Sequence, residues 1–229
     1  MKHNTRTFLF FALLLTLSTA VQAQQVRYGM KFGLGLSGIS TDVGDFSPYL
    51  FYGEMIVGEE NDLRIAFHLM GFAELDLHKN FGIGAGLMLA TRGYRIDAED
   101  QQQNFRAFAA RPFYVQIPLY GQFRARGFYL NFGPYAGLGL AGNSFRDVFE
   151  DEITNPLRWG NDFESDLRRF DFGALIEAGA SYRNVRLSAG YHHGFANLLP
   201  KDWGLEFSGA QWQNRVFYLS TGYIFSARR

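Results

Sequence analysis

The sequence predicts an all-β protein, an eight-stranded antiparallel up-and-down transmembrane β-barrel that follows an N-terminal signal peptide. Three observations support this prediction. Residues 1–23 have the layout of an export signal, apolar residues alternate with polar or small ones along eight later segments, and the links between these segments alternate between short and long. Alternation with a period of two is typical of a strand whose two faces meet different surroundings.

The N-terminal segment has the three regions of a secretory signal peptide. Lys2 and Arg6 precede an apolar run over 8–17, and the small-x-small sequence Val-Gln-Ala occupies 21–23. The run is shorter than the roughly 20 apolar residues that a spanning helix needs. We therefore expect residues 1–23 to be removed and residues 24–229 to form one β-barrel domain. The alternative is an anchor helix that remains attached.

The composition excludes several classes of protein. After cleavage 20 basic and 22 acidic residues remain, because the signal carries two bases and no acid, so nothing predicts a nucleic-acid partner. The chain has no cysteine, which excludes disulfides and thiolate metal sites. Its 24 Phe, 12 Tyr and 26 Gly accompany a mean hydropathy of only −0.12, with no second long apolar run. A barrel with an apolar outer face and a polar lumen has this composition.

The first four predicted strands each carry apolar residues on one face. These residues are Tyr28, Met30, Phe32, Leu34 and Leu36 in the first strand; Leu63, Ile65, Phe67, Leu69, Leu75 and Leu77 in the second; Phe81, Ile83, Ala85, Leu87 and Leu89 in the third; and Phe113, Val115, Ile117, Leu119 and Phe123 in the fourth. Glycine, polar and charged residues dominate the positions between them, as expected for a face that lines a lumen.

The second four strands repeat the pattern. Their outer residues are Phe128, Leu130, Phe132, Pro134, Ala136, Leu138 and Leu140; then Phe170, Phe172, Ala174, Ile176, Ala178 and Tyr182; then Val185, Leu187, Ala189, Tyr191 and Phe195; and finally Phe217, Leu219, Thr221, Tyr223 and Phe225. Eight is an even number, as in bacterial outer-membrane barrels, and each segment is long enough to cross a bilayer at a tilt.

The links between strands are short on one side and long on the other. Tight turns are predicted at 78–80, 125–127 and 183–184, and longer loops at about 38–62, 97–111, 142–168 and 197–213. Short turns are periplasmic in bacterial barrels, which places both termini in the periplasm and the long loops outside the cell. Outer aromatic residues beside the short turns form a predicted girdle at one membrane interface: Tyr28, Phe81, Phe123, Phe128, Tyr182, Tyr223 and Phe225.

The inner face carries charges that can pair. We expect a network of six residues to fill the lumen: Lys31, Glu74, Arg92, Asp171, Glu177 and Arg186. An eight-stranded barrel is only wide enough for side chains to fill its interior, which argues against a general pore. The alternative is a soluble barrel of the lipocalin kind, whose apolar face would lie inside.

Short motifs are spread along the mature chain in a characteristic order. They are YGMKFGLGLS at 28–37, YVQIPL at 114–119, FGPY at 132–135, DFG at 171–173, YHHGFAN at 191–197 and GYIF at 222–225. Together they resemble the Bacteroidetes outer-membrane β-barrel family known as PorT family or porin family proteins. The resemblance implies an outer-membrane barrel and little about activity. The chain lacks the family's usual asparagine at 34–36, and four residues follow Phe225, where assembly signals usually end.

Candidate chemical groups are few. His192 and His193 are adjacent, so alternation directs them to opposite faces, and Ser188 shares the lumen face with His192. The acidic runs Glu59-Glu60 and Glu150-Asp151-Glu152 are interpreted as solvated loop charge, with a cation or lipopolysaccharide contact as the alternative. Glycines at 82, 84 and 86 have a period of two and indicate close packing. We predict no catalytic, cofactor or metal site.

Three functions are compatible with the sequence. The first is a non-enzymatic barrel in envelope integrity, surface binding or accessory secretion, the second a narrow transport channel, and the third a lipid-modifying enzyme that uses His192. Expected partners are the outer-membrane bilayer, lipopolysaccharide and the barrel-assembly machinery. Aromatic residues among charges in the loop at 143–168, together with Trp203 and Trp212, suit either protein or glycan contact or packing over the barrel mouth.

Overall fold

The computed structural model describes residues 26–42, 56–100, 105–148, 151–162, 164–201 and 211–225. The predicted signal peptide and Trp203 lie outside these ranges. Ten strand segments are present: β1 (Val26–Asp42), β2 (Ile56–Asp76), β3 (Phe81–Thr91), β4 (Tyr94–Asp100), β5 (Phe105–Ala125), β6 (Phe128–Val148), β7 (Asp151–Pro156), β8 (Phe170–Tyr182), β9 (Val185–Gly194) and β10 (Gln211–Phe225).

The ten segments build a closed barrel of eight antiparallel strands. Segments β3 and β4 both pair with β2 and β5, so together they form one strand of the wall. Segments β7 and β8 likewise both pair with β6. The barrel closes between β1 and β10, where Tyr28 is opposite Phe225. Within the described ranges, no helix is long and apolar enough to cross a membrane.

The alternation seen in the sequence separates the inside of the barrel from the outside. Outward residues are apolar and exposed, as in Ile65 (76% exposed) and Leu219 (71%), whereas inward charges such as Glu74 (1%) are buried. This is the arrangement of a barrel whose outer face meets lipid. It contradicts the soluble alternative, in which the apolar face would line the interior.

The short turns have the predicted positions, but the long links are shorter than expected. Paired strand replaces much of the predicted loops at 38–62, 97–111 and 142–168, because β1, β2, β4, β5, β6 and β7 extend into them. Glu59-Glu60 therefore lies in β2 and Asp151-Glu152 in β7, whereas Glu150 is outside the described residues. Backbone hydrogen bonds between paired strands do not require an apolar face. The strands therefore continue on the long-loop side beyond the residues at which the apolar alternation ends.

Candidate functional site

The lumen at the short-turn end is closed by ionic contacts. Arg27 contacts Glu74 at 3.0 Å and Asp76 at 3.1 Å, and Arg124 contacts Asp76 at 2.7 Å. Arg27 faces inward from β1, Glu74 and Asp76 from β2, and Arg124 from β5, which lies on the other side of β3 in the wall. The six predicted network residues do not include Arg27, Asp76 or Arg124, although the alternation places all three on the inner face.

Glu74 is the centre of the charge cluster above this end. Arg186 donates two hydrogen bonds to the Glu74 carboxylate, at 2.6 and 2.7 Å. Gln122 donates a third at 2.8 Å, and Tyr120 a fourth at 3.3 Å. The Arg186 guanidinium also lies over the Tyr129 ring, 4.8 Å from its centroid. A two-pronged arginine–carboxylate pair of this kind is among the strongest polar contacts in proteins.

A second ion pair occupies the middle of the barrel. Lys31 contacts Glu177, and the same carboxylate accepts hydrogen bonds from Tyr129 at 3.3 Å and Asn131 at 3.4 Å. Asn131 in turn accepts a hydrogen bond from Gln122 at 2.9 Å. The two ion pairs are therefore joined through neutral side chains into one buried polar network.

A histidine and a serine meet farther from the short-turn end, which the sequence did not predict. Ser220 Oγ lies 3.4 Å from His68 Nε2, across the intervening β1 strand. The contact is possible because Gly33 is opposite both residues in the sheet. A Cβ at Gly33 would lie 2.3 Å from the His68 ring and 2.6 Å from Ser220 Oγ. Alternation placed all three residues on the inner face, but only the register brings them together.

Arg92 and Asp171 have neutral partners, so the predicted network is smaller than expected. Arg92 donates to Gln116 at 3.0 Å and lies 3.5 Å from His192 Nδ1. Asp171 accepts hydrogen bonds from Tyr135 at 3.3 Å and Asn214 at 3.0 Å. Among the described residues neither makes an ionic contact. At these two positions the direct contacts of the predicted network are therefore hydrogen bonds to neutral side chains rather than ion pairs.

An apolar cluster, which we call the cap, covers the lumen at the long-loop end. Its buried members are Ile39, Tyr94, Ala110, Leu157, Leu167, Leu198, Leu199 and Trp212, and Trp159 packs against them. Trp212 is 2% exposed and belongs to β10, which corrects its predicted place in a loop. Gly139 leaves room for the Trp159 ring, because a Cβ there would lie 2.3 Å from it.

Hydrogen bonds hold the cap in place. The Asn197 side chain accepts from the backbone amides of Leu199 and Trp212, both at 3.1 Å. Arg168 donates its backbone amide to the Leu198 carbonyl at 2.8 Å and its guanidinium to the Asn197 carbonyl at 3.1 Å. Of the two interpretations left open for the aromatic residues of this end, packing over the mouth describes Trp159 and Trp212.

The interior has little free space in the part of the chain that the structure describes. Two cavities lie between the cap and the short-turn end, each of about 10 Å³, which is close to the volume that one water molecule needs. Lys31, Tyr120, Asn131 and Glu177 line both cavities. Neither of these two cavities, which are lined by described residues, is large enough to hold a solute bigger than water.

The other candidate groups make no reactive arrangement. His192 is buried and stacks on Tyr135, whereas His193 is on the opposite face, 3.1 Å from the Tyr191 hydroxyl. No contact joins His192 to Ser188 in the described residues. Nor do three or more His, Cys, Asp or Glu side chains in those ranges group as a metal site. The glycine run packs closely, since a Cβ at Gly84 would lie 2.4 Å from the Tyr120 ring.

The seven predicted girdle residues all lie on the outer face near the short turns. Tyr28, Phe81, Phe123, Phe128, Tyr182, Tyr223 and Phe225 are each exposed. The register aligns them, since Tyr28 pairs with Phe225 and Phe81 with Phe123. Aromatic residues at this height are typical of the interface between lipid tails and headgroups.

We predict that Glu177→Leu will destabilise the barrel. The substitution leaves Lys31 without its carboxylate in a mostly buried site, which costs about 3 kcal/mol. Urea unfolding in detergent, followed by tryptophan fluorescence, measures the change. Glu177→Gln keeps a side chain of the same shape that can form hydrogen bonds, and it should lower the free energy of unfolding by less. An unchanged midpoint for Glu177→Leu would show that the ion pair does not stabilise the fold.

Several solved structures of outer-membrane proteins are similar to this chain, all at low sequence identity. Neisserial surface protein A matches with 8% identity and a TM-score of 0.44, over 86% of this chain and 97% of that one. Ail, the attachment invasion locus protein of Yersinia pestis, matches with 14% identity and a TM-score of 0.42, over 88% and 99%. The Escherichia coli outer membrane protease OmpT matches with 11% identity and a TM-score of 0.41, over 87% and 97%.

The sequence comparison gives the family directly. No curated protein is significantly similar to the chain. A family described as "Outer membrane protein beta-barrel domain" matches residues 22–199, which is most of the chain. With its closed eight-stranded barrel and apolar outer face, the protein belongs to the outer membrane protein beta-barrel domain family and is an outer-membrane β-barrel.

Proposed function

We propose that this protein is a closed, non-enzymatic outer-membrane barrel that anchors a binding surface at its long-loop end. One observation carries the proposal: side chains occupy the lumen from the ionic contacts around Glu74 to the apolar cap around Trp212. A barrel built for transport needs a passage, whereas a barrel built as an anchor gains stability from a filled interior.

The long-loop end suits a role in display. Hairpins β4–β5 and β6–β7 extend the wall, and the cap beneath them is fixed by buried side chains. The outer edge of the cap is polar, with an exposed contact of 3.7 Å between Arg158 and Glu164. A fixed surface loses little freedom when it binds a partner. Surface binding, envelope integrity and accessory secretion are roles that such a surface can serve.

The same features argue against an enzyme. His192 and the His68–Ser220 pair lie inside the filled barrel, and the cavity beside both histidines is no larger than one water molecule. A lipid substrate could not reach either group without removal of the packed core. The short-turn end is periplasmic in this proposal.

Selective labelling of single cysteines tests the display of the cap. The native chain has no cysteine, so Asp162→Cys at the exposed edge of the cap and Lys79→Cys in a short turn give clean probes. In intact cells a membrane-impermeant maleimide should label Asp162→Cys at once and Lys79→Cys only after the outer membrane is permeabilised. The reverse pattern, or equal labelling of the two sites in cells with an intact outer membrane, would overturn the proposed orientation.

A further inference from the structure

A shallow groove crosses the outer wall directly beside one short turn. It has a volume of about 650 Å³ and runs over β6, β8, β9 and β10. Its outward lining residues are Phe128, Ala178, Ala180, Leu187, Ala189 and Leu219. Three alanines form its floor, and the larger side chains stand beside them, so the groove is apolar and extends across four neighbouring strands.

Arg183 lies at the foot of this groove. Ala178 pairs with Ala189, Ala180 with Leu187, and Tyr182 with Val185, which leads to the turn at 183–184. With a rise of about 3.4 Å per residue, Arg183 lies roughly 10 Å from Ala180 along the strand. From the turn upward along the wall lie the Arg183 cation, the Tyr182 ring at the membrane interface, and then the apolar groove.

The Arg183 side chain is free to bind an anion. Its side chain is exposed, and no carboxylate in the described part of the chain pairs with it. It lies over the Tyr182 ring, 5.5 Å from the centroid, which directs it along the outer wall. Its backbone has a φ of 54°, a region that favours glycine, so the turn holds an arginine where a smaller residue would relax more easily.

We propose that the groove and Arg183 together bind one anionic phospholipid from the surrounding bilayer. Arg183 would pair with the phosphate, and an acyl chain would lie along Ala180 and Ala189. The groove is open to the lipid around the barrel and has no polar partner for a protein or a sugar, which favours a lipid as its occupant. The inference does not depend on the proposed role of the cap.

Native mass spectrometry of the full barrel tests this site. The protein is reconstituted with phosphatidylglycerol and phosphatidylethanolamine of equal chain length, extracted into detergent, and its retained lipids are counted. The wild-type barrel should retain phosphatidylglycerol preferentially. Arg183→Gln should weaken that binding roughly tenfold, as expected for the loss of one charge-assisted hydrogen bond. Ala180→Phe fills the groove and should reduce the retention of both lipids.

Two matched variants separate this site from general effects. Lys201→Gln removes an exposed charge from the long-loop end of the barrel, away from the groove, and Ala136→Phe adds the same ring outside the groove. Both should retain phosphatidylglycerol as the wild type does. Equal retention of the two lipids by the wild type, or equal losses in Lys201→Gln and Arg183→Gln, would overturn the proposal. A heat-dependent mobility shift verifies that each variant is folded.

Discussion

Glu74→Leu is expected to cause the largest loss of stability of any single substitution in the lumen, about 4–5 kcal/mol. The reason is that Glu74 holds two cations, Arg27 at 3.0 Å and Arg186 at 2.6 Å. Its removal leaves Arg186 unpaired in a buried site, where an isolated charge is strongly unfavourable. Urea unfolding in detergent measures the loss.

A double substitution separates the cost of an unpaired charge from the value of the pair. Glu74→Leu combined with Arg186→Leu removes both charges, and the double variant should recover much of the lost stability. Asp76→Asn, at a position about one-quarter exposed, should cost far less because water reaches it. If Glu74→Leu alone unfolds at the wild-type urea concentration, the ionic cluster does not stabilise this barrel.

Trp212→Ala is expected to loosen the cap while leaving the transmembrane wall intact. The Trp212 ring is buried against Tyr94, with 6.0 Å between ring centroids, and its loss costs about 3–5 kcal/mol of local stability. Hydrogen exchange should therefore become faster in residues 157–168 and 195–201. The strands around Glu74 should keep their protection, because their contacts are unchanged.

A variant on the same strand provides the control for the cap. Phe217 belongs to β10 but is exposed on the outer face. Phe217→Ala should leave exchange in residues 157–168 as it is in the wild type. Equal exchange in the wild type and Trp212→Ala would show that the cap is held by its hydrogen bonds and not by its apolar packing.

The wall of the barrel was predictable from the sequence, because one physical rule determines it. A strand with lipid on one side and polar side chains on the other must alternate, so positions such as Leu34 and Lys31 reveal their faces directly. The short turns and the seven outer aromatic residues follow from the same rule. The two ion pairs were partly predictable, since inward charges in a narrow barrel have few other partners.

The cap and the finer contacts were not predictable, because they depend on register. Ser220 reaches His68 only because both are opposite Gly33, and a shift of one residue would separate them. The sequence predicts a loop at Trp212 because the outward positions beside it, Gln211 and Gln213, are polar, so the apolar lipid-facing pattern ends before the strand does. The charges of Arg92 and Asp171 predict that both belong to the ionic network. In the structure they form hydrogen bonds with amide and tyrosine side chains instead.

Ion conductance across a planar lipid bilayer tests the central claim most directly. The folded barrel is inserted and recorded at low and high voltage, with heat-denatured protein as the baseline. A lumen filled from Glu74 to Trp212 predicts no stable conductance above that baseline. Trp212→Ala should also remain silent, since the ionic cluster still blocks the short-turn end. Stable, large conductance steps from the wild-type barrel would contradict the claim that the barrel is closed.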